Sequence, residues 1–314
     1  MLLFSGSSHP DFASKIALTL GVPLAPIHLG RFPDGEVAVD LPESVRGQDL
    51  FVVQTLAIDP NNYIIELLVM IDAFRRASAR SITVVIPYYA YCRQDRKDKP
   101  REPISAKLIA NLLVSAGAEH ILVMDLHAGQ LEGFFDIPVD HLQAMPLLAR
   151  RFLEMTQGEP CAVVAPDVGS VRLSHTFAKY LTAELVIVDK ERLTPGKTQV
   201  LSIIGDVENK NVLLADDMCS TGSTLVSAAK ACREKGAKRI FAAVTHGLFM
   251  SDAISQIEKS PIEALLVSDT IPAVPGQSKS TKIKTVSVAP LFAHAIRCIA
   301  SQVPVSLHQP EDRY

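Results

Sequence analysis

Residues 212–224 read Val-Leu-Leu-Ala-Asp-Asp-Met-Cys-Ser-Thr-Gly-Ser-Thr, and helical spacing continues as far as Arg233. The apolar run predicts a buried strand that carries two carboxylates, Asp216 and Asp217, at its carboxyl end. The small residues that follow predict a loop that opens a helix. Such a loop exposes backbone N–H groups and hydroxyls at the positive end of the helix dipole, so it favours phosphate binding.

The simpler explanation of residues 221–224 is a strand-to-helix turn with an ordinary Ser/Thr cap. The two aspartates favour a ligand site instead, because carboxylates beside a bound sugar phosphate accept hydrogen bonds from its hydroxyls or hold a cation there. We therefore predict that Asp216, Asp217 and the loop bind a sugar phosphate. The loop residues are Ser220, Thr221, Gly222, Ser223 and Thr224.

Short apolar runs alternate with amphipathic stretches along the whole chain. The runs are residues 50–54, 82–87, 121–124, 163–166, 185–188, 212–215, 240–244 and 264–267. Apolar strands separated by helices indicate buried parallel sheet, so the predicted fold class is α/β. Polar residues follow several strands, and open parallel sheets bind ligands at that edge. We place the boundary between two domains near Met145, giving domains 1–145 and 146–314.

Composition excludes several classes of function. The 314 residues include 31 basic and 34 acidic side chains, so no basic excess is available to follow a nucleic-acid backbone. The longest apolar stretch near a helix is interrupted by Glu66 and is far shorter than a bilayer span. Residues 1–6 do not resemble a signal peptide, and five scattered cysteines favour a reducing compartment. We expect a cytoplasmic protein that binds neither nucleic acid nor membrane.

Residues 216–224 resemble the ribose 5-phosphate-binding motif of the type I phosphoribosyltransferase fold, which by itself leaves many transferases open. Further segments, in family order as far as about Leu291, resemble ribose-phosphate pyrophosphokinases, the enzymes that make 5-phosphoribosyl 1-pyrophosphate (PRPP). These segments are residues 32–36, 87–97, 101–107, 125–128, 133–140, 166–167, 189–192 and 245–247. The resemblance implies two tandem type I phosphoribosyltransferase-like domains, each a mainly parallel sheet flanked by helices.

The resemblance implies transfer of the β,γ-pyrophosphoryl group of ATP to the anomeric hydroxyl of ribose 5-phosphate, with release of AMP. It also implies Mg2+ as cofactor and self-association as a hexamer or another dimer-based oligomer. The implied ATP contacts are Phe32, Asp34, Gly35, Glu36, Arg93, Gln94, Asp98 and His127, and the implied metal-site residues are His127 and Asp167. On composition alone, the basic run 93–99 is most often a solvated surface.

Lys190 and Arg192 are the catalytic residues that the resemblance implies, and Arg192 is also an implied ribose 5-phosphate contact. By itself, Lys-Glu-Arg is an unremarkable surface triplet. The polar stretch 193–198 contains Gly and Pro, and we expect it to form a mobile loop that closes over the reactants. Two cations on such a loop would reach the pyrophosphoryl group only near the transition state, where their charge lowers the barrier.

Two positions depart from the common, phosphate-activated branch of the family. The loop 220–224 is more similar to the archaeal branch, and Ser170 stands where the family has the second glycine of a pair. Regulation by phosphate and ADP is therefore open. One alternative is a catalytically weak regulatory paralogue that associates with an active synthetase. The other, a phosphoribosyltransferase that consumes PRPP, is disfavoured because such enzymes need only one domain of this fold.

Overall fold

The computed structural model of the protein describes residues 1–191 and 200–305, which divide into two compact units. The first unit holds residues 1–143, 270–272 and 288–305, and the second holds the described residues of 144–269 together with 273–287. The final helix of the chain therefore belongs to the first unit. The boundary predicted near Met145, with domains 1–145 and 146–314, stays a prediction.

Strands alternate with helices through both described ranges. The strands are β1 (Leu2–Ser5), β2 (His28–Arg31), β3 (Val37–Asp40), β4 (Asp49–Val53), β5 (Ser81–Ile86), β6 (His120–Met124), β7 (Val139–Leu142), β8 (Cys161–Ala165), β9 (Glu184–Glu191), β10 (Val200–Ile204), β11 (Asn211–Cys219), β12 (Arg239–Gly247), β13 (Ala264–Ser268) and β14 (Ile283–Val286). The helices are α1 (Pro10–Leu20), α2 (Pro60–Arg76), α3 (Ser105–Ala116), α4 (Met145–Thr156), α5 (Val171–Tyr180), α6 (Ser223–Glu234), α7 (Ala253–Lys259) and α8 (Ala289–Ala300).

The first unit is built on a five-stranded sheet with the order β1-β4-β5-β6-β7, in which every neighbouring pair is parallel. Strands β2 and β3 form a separate antiparallel hairpin. The apolar face of α2 packs on the sheet, with the rings of Phe4 and Phe74 4.7 Å apart. Helices α1 and α8 pack together, with Phe12 and Phe292 in edge-to-face contact at 5.4 Å. Aromatic contacts of this kind stabilise the core beyond the burial of their area.

The second unit contains a seven-stranded sheet with the order β10-β9-β8-β11-β12-β13-β14. Its neighbouring pairs are parallel except β9 and β10, which are antiparallel. Strand β11 lies next to β8, with Leu214 opposite Val164, so the carboxyl ends of both strands lie at one edge. The loops after β8 and β11 are therefore neighbours, as the rule for ligand sites in parallel sheets requires. The predicted α/β class is confirmed.

None of the helices in the two described ranges is long and apolar enough to cross a bilayer.

Candidate active site

The predicted sugar-phosphate loop connects β11 to α6. Gly222 is the residue that caps α6, and its φ of 77° is the left-handed conformation that favours glycine. Among the described residues, no side chain caps this helix. The explanation as an ordinary Ser/Thr cap therefore fails. The N–H groups of the first turn lie at the end of the helix where an anion is stabilised.

Three carboxylates interact at the carboxyl edge of the second sheet. Burial raises the pKa of Asp216 to about 8, and the charges of Asp217 and Asp167 add to the rise. The N–H of Asp217 donates a hydrogen bond of 3.0 Å to Oδ1 of Asp216, and this bond opposes part of the rise in the pKa of Asp216. Asp167 is distant in sequence from Asp216, and the pairing of β8 with β11 brings the two carboxylates close enough to interact. Carboxylates that raise one another's pKa in this way favour a cation or hydroxyl donors beside them.

These donors fit Mg2+. No three His, Cys, Asp or Glu side chains of the described chain gather closely enough to hold a metal ion by themselves. Mg2+ does not require such a cage, because proteins hold it through one or two carboxylates while water and substrate phosphates supply the other oxygens. Asp167, beside the partly buried Asp216, suits that role. The predicted partner His127 belongs to the first unit, and its role at a metal stays a prediction.

The loop after β8 is closed by Ser170. The Ser170 hydroxyl donates to the carbonyl oxygen of Asp167 at 2.9 Å and accepts from the Asp167 N–H at 3.3 Å. The N–H of Ser170 donates in turn to Oδ1 of Asp167 at 3.1 Å. The serine hydroxyl therefore adds two contacts to the backbone of Asp167, while the bond to the Asp167 carboxylate comes from a backbone N–H that any residue here would supply. The replacement was apparent in the sequence, but this role of the hydroxyl was not.

The predicted adenine-side residues lie at the tip of the β2–β3 hairpin. The N–H of Phe32 donates to the carbonyl oxygen of Glu36 at 2.8 Å, and the N–H of Gly35 donates to that of Phe32 at 2.9 Å. Oδ1 of Asp34 accepts from the N–H of Glu36 at 3.2 Å, and Gly35 has a φ of 94°. The Phe32 residue is 55% exposed, so part of its apolar ring is accessible at a hydrogen-bonded turn.

Most of residues 93–99 are exposed, as expected of a solvated surface run, and hydrogen bonds with Ser105 and Glu102 hold their loop in place. Oε1 of Gln94 accepts a hydrogen bond of 2.6 Å from the Ser105 hydroxyl. The carboxylate of Glu102 accepts from the N–H groups of Asp98 and Lys99 at 3.1 and 3.0 Å. The amide of Gln94 is thus oriented with its oxygen engaged and its NH₂ group left to donate. Ser105 and Glu102 belong to the segment 101–107 that resembles the family, but no role was predicted for either residue.

The side chain of Asp98 forms an ion pair with Arg96 at 2.9 Å, and both side chains are largely exposed. The carboxylate of Asp98, a predicted ATP contact, is therefore engaged by a neighbouring cation. Another predicted site residue, His127, follows β6 within residues 125–128. Asp125 in that segment has a φ of 38°, a left-handed conformation in which Asp is tolerated better than most residues.

The backbone of Lys190 belongs to β9 and lies opposite Leu201 of β10. The predictions for Arg192 and for the loop 193–198 lie outside the described residues.

Two family models match the chain. The N-terminal domain of ribose phosphate pyrophosphokinase matches residues 1–117, and the phosphoribosyl synthetase-associated domain matches residues 190–307. The ribose-phosphate pyrophosphokinase of Clostridium acetobutylicum is 49% identical over 305 residues, covering 97% of this chain and 95% of that protein. The chain belongs to the ribose-phosphate pyrophosphokinase family. The ribose-phosphate pyrophosphokinase of Maricaulis maris is 47% identical, covering 98% of this chain and 99% of that protein.

A solved structure agrees with this membership of the ribose-phosphate pyrophosphokinase family. The crystal structure of phosphoribosylpyrophosphate synthetase from Mycobacterium smegmatis has a TM-score of 0.91 to this chain at 38% identity. It covers 96% of this chain, and this chain covers 99% of it. The resemblance inferred from the motifs is thereby confirmed, as is the prediction of two domains that each contain a mainly parallel sheet flanked by helices. The roles of individual residues stay predictions.

The raised pKa of Asp216 makes the stability of this pyrophosphokinase-family chain depend on pH. Without metal and substrates, folded Asp216 keeps its proton up to a pH of about 8, whereas the unfolded chain loses it near its ordinary pKa of 3.8. Between these two pH values the unfolded state therefore binds fewer protons than the folded state. The free energy of unfolding falls as pH rises from about 4 to 8. We expect Asp216→Asn to remove this loss and to raise Tm by about 5 °C at pH 8.

Thermal unfolding followed by circular dichroism in EDTA, from pH 4 to pH 8.5, measures this effect. The difference in Tm between variant and unaltered chain should vanish near pH 4. Asp206→Asn is the control, because contact with Lys210 lowers the pKa of exposed Asp206, so its dependence on pH has the opposite sign. A difference in Tm that is the same at every pH would contradict the raised pKa.

Proposed function

We propose that the chain transfers the β,γ-pyrophosphoryl group of ATP to the anomeric hydroxyl of ribose 5-phosphate, giving PRPP and AMP for nucleotide biosynthesis. The sugar oxygen forms a bond to the β-phosphorus, the bond from that phosphorus to the α,β-bridging oxygen breaks, and AMP leaves with that oxygen. The hydroxyl proton passes to solvent. The observation that carries the proposal is the 49% identity, over 97% of the chain, to a ribose-phosphate pyrophosphokinase.

The second unit supplies the proposed ribose 5-phosphate site. The 5-phosphate would accept hydrogen bonds from the N–H groups at the start of α6 and from the hydroxyls of the loop 220–224, where no side-chain cap competes in the described chain. Asp216 and Asp217 would accept hydrogen bonds from the ribose hydroxyls. A charged acceptor makes a stronger hydrogen bond than a neutral one, so the Asp217 carboxylate would anchor the sugar.

The first unit supplies the proposed ATP contacts. The exposed ring of Phe32 would stack on adenine, and Asp34, Gly35 and Glu36 would bind the rest of the nucleoside. Arg93 and Gln94 would contact the polyphosphate, supported by the Ser105 hydroxyl that orients the Gln94 amide. Asp98 and His127 complete the proposed ATP contacts.

Mg2+ is the proposed cofactor, with His127 and Asp167 as the residues that would hold it. When bound, it would share the charge of the polyphosphate. Ser170 would keep the Asp167 carboxylate in place, because its N–H donates to Oδ1 of that residue.

Lys190 and Arg192 are the proposed catalytic residues. Their cations would stabilise the charge on the transferring pyrophosphoryl group, and Arg192 would also contact ribose 5-phosphate. A loose phosphoryl-type transition state needs positioning and charge more than a general base. We further propose that the enzyme acts in the cytoplasm and self-associates as a hexamer or another dimer-based oligomer, without nucleic-acid or membrane partners.

The decisive experiment measures AMP formation from ATP with Mg2+, with and without ribose 5-phosphate, over a range of inorganic phosphate. We expect ribose 5-phosphate to raise the rate of AMP formation at least about 100-fold, because the sugar hydroxyl is the acceptor of the transferred group. EDTA should abolish the reaction. A flat response to phosphate would agree with the archaeal-like loop 220–224, and steep activation would agree with the first half of the chain.

Sugar-dependent AMP formation that stays undetectable at every phosphate concentration would contradict the proposal and favour the regulatory paralogue. Consumption of PRPP in the presence of a nucleobase would favour the phosphoribosyltransferase instead.

A further inference from the structure

The imidazole of His141 contacts the chain on both sides of His127. His141 lies on β7, and its Nε2 accepts a hydrogen bond of 2.9 Å from the backbone N–H of Leu126. Its Nδ1 lies 2.5 Å from Oε1 of Glu132, in the short 3₁₀ helix Gly129–Phe134 that follows His127. The His141 side chain therefore contacts both residue 126 and residue 132, and His127 lies in the segment between them.

These two contacts determine which nitrogen of His141 carries the proton. The N–H of Leu126 is only a donor, so Nε2 must present its lone pair. An ionised Glu132 carboxylate is only an acceptor, so Nδ1 must carry the hydrogen. Both contacts are satisfied by the neutral imidazole with its proton on Nδ1. Glu132 therefore orients His141 in the way that a carboxylate orients a histidine behind a metal or catalytic site.

The segment before His127 needs such support because its backbone is unusual. Asp125 has a φ of 38°, outside the conformations that most residues other than glycine prefer. The Asp125 N–H donates to the carbonyl oxygen of Leu142 at 3.0 Å, and the next N–H, that of Leu126, donates to His141. Two consecutive N–H groups are thus held by consecutive residues of β7, one by its backbone and one by its side chain.

We propose that His141 is a positioning residue for the reaction and that Glu132 acts with it, holding residues 125–127 in the conformation that presents His127 to ATP. The inference rests on the proposed function, which assigns ATP binding to His127. The residue acts through the hydrogen bond to Leu126. Neither His141 nor Glu132 was singled out in the sequence, because neither belongs to a phosphate or metal motif.

The same two strands provide a matched control. His120 of β6 pairs with Asp140 of β7 at 2.8 Å, and its side chain is 24% exposed against 17% for His141. Both pairs join a histidine to a carboxylate, and the two histidines are similarly buried. His120 is the first residue of β6, and Asp140 is the neighbour of His141 in β7. The N–H of Leu126 donates to His141 and to neither of these residues.

The kinetic test compares His141→Leu, His141→Gln and His120→Leu in the assay of AMP formation. We expect His141→Leu to lower kcat/KM for ATP by about 10- to 100-fold, the usual effect of losing a residue that orients a ligand. KM for ribose 5-phosphate should stay within about twofold, because the proposed sugar site belongs to the second unit. His141→Gln should recover most of the activity through its amide oxygen, and His120→Leu should match the unaltered chain.

Amide hydrogen exchange at Leu126 is the second readout. We expect this N–H to be protected in the unaltered chain, in His141→Gln and in His120→Leu, and to exchange about 10-fold or more faster in His141→Leu. If His141→Leu does not fold, the pair Glu132→Gln and Glu132→Leu decides. The glutamine variant retains an amide oxygen as acceptor for Nδ1 and should preserve kcat/KM for ATP, whereas the leucine variant should lower it.

The inference is overturned if His141→Leu has the kcat/KM for ATP of His120→Leu, or if His141→Gln protects Leu126 and is as inactive as His141→Leu. Equal activity of the two Glu132 variants would also overturn the role of Glu132. If the unaltered chain forms no AMP, the proposed function fails, and hydrogen exchange at Leu126 still decides whether His141 holds the segment.

Discussion

Lys190→Ala is expected to lower kcat for AMP formation about 1,000-fold, with KM for ATP and ribose 5-phosphate within about threefold of the unaltered values. The proposed role of Lys190 is to stabilise charge that develops on the transferring pyrophosphoryl group. Loss of one such group typically lowers kcat by about 100- to 1,000-fold, and a transferring phosphoryl group sits at the upper end of that effect. An interaction made only in the transition state lowers kcat without raising KM.

Steady-state kinetics of Lys190→Ala, with Lys210→Ala as the control, provide the measurement. Lys210 contacts Glu184, the first residue of the same strand β9, at 2.7 Å, and Asp206 at 2.9 Å. Its removal tests whether losing any lysine that touches β9 impairs the enzyme. Ion pairs near the surface contribute little to stability, so Lys210→Ala should retain kcat within about twofold. An unchanged kcat in Lys190→Ala would remove Lys190 from the mechanism.

Asp217→Asn is expected to lower kcat/KM for ribose 5-phosphate about 100-fold, while KM for ATP stays within about twofold. The substitution replaces a charged acceptor with an amide of the same shape. A hydrogen bond to a charged group contributes about 1.5–3 kcal/mol, and 1.36 kcal/mol corresponds to about tenfold in rate. The effect should fall on the sugar, because Asp217 lies beside the loop that opens α6 in the second unit.

Varying one substrate at a time separates the two possible effects. Asp206→Asn serves as the control, because Asp206 is an exposed carboxylate of the same unit whose partner is Lys210. Asp206→Asn removes the same charge without changing the carboxyl end of β11. This variant should leave kcat/KM for ribose 5-phosphate within about twofold. A rise in KM for ATP with normal affinity for ribose 5-phosphate would show that Asp217 does not bind the sugar.

Much of the fold could be predicted from the chain alone, because long apolar runs bounded by helices have few other solutions. The predicted apolar runs coincide with strands β4, β5, β6, β8, β9, β11, β12 and β13. Strands β1, β2, β3, β7, β10 and β14 were not predicted. Each has only four or five residues, and several have mixed polarity, such as Val-Asp-His-Leu in β7, so no clear pattern stands out.

The candidate site was predictable only where its chemistry is local. Asp216, Asp217 and the loop to Thr224 follow one another in the chain, so the sequence by itself determined their order on a strand, a loop and a helix. The family could be predicted in the same way, since its motifs are short runs in a set order. The roles of Ser105 and Ser170 could not, because a hydroxyl gains its role from the atom that the fold places beside it.

Tertiary structure alone decided which distant residues share an environment. The register of β8 on β11 places the charge of Asp167 where it raises the pKa of Asp216, although 49 positions separate them. The register of β6 on β7 likewise allows His141 to reach Leu126. The apolar pattern specifies that these strands are buried and leaves open which neighbour each one pairs with. The chain thus encoded its class, family and local motifs, while strand pairing determined the electrostatics and support of the site.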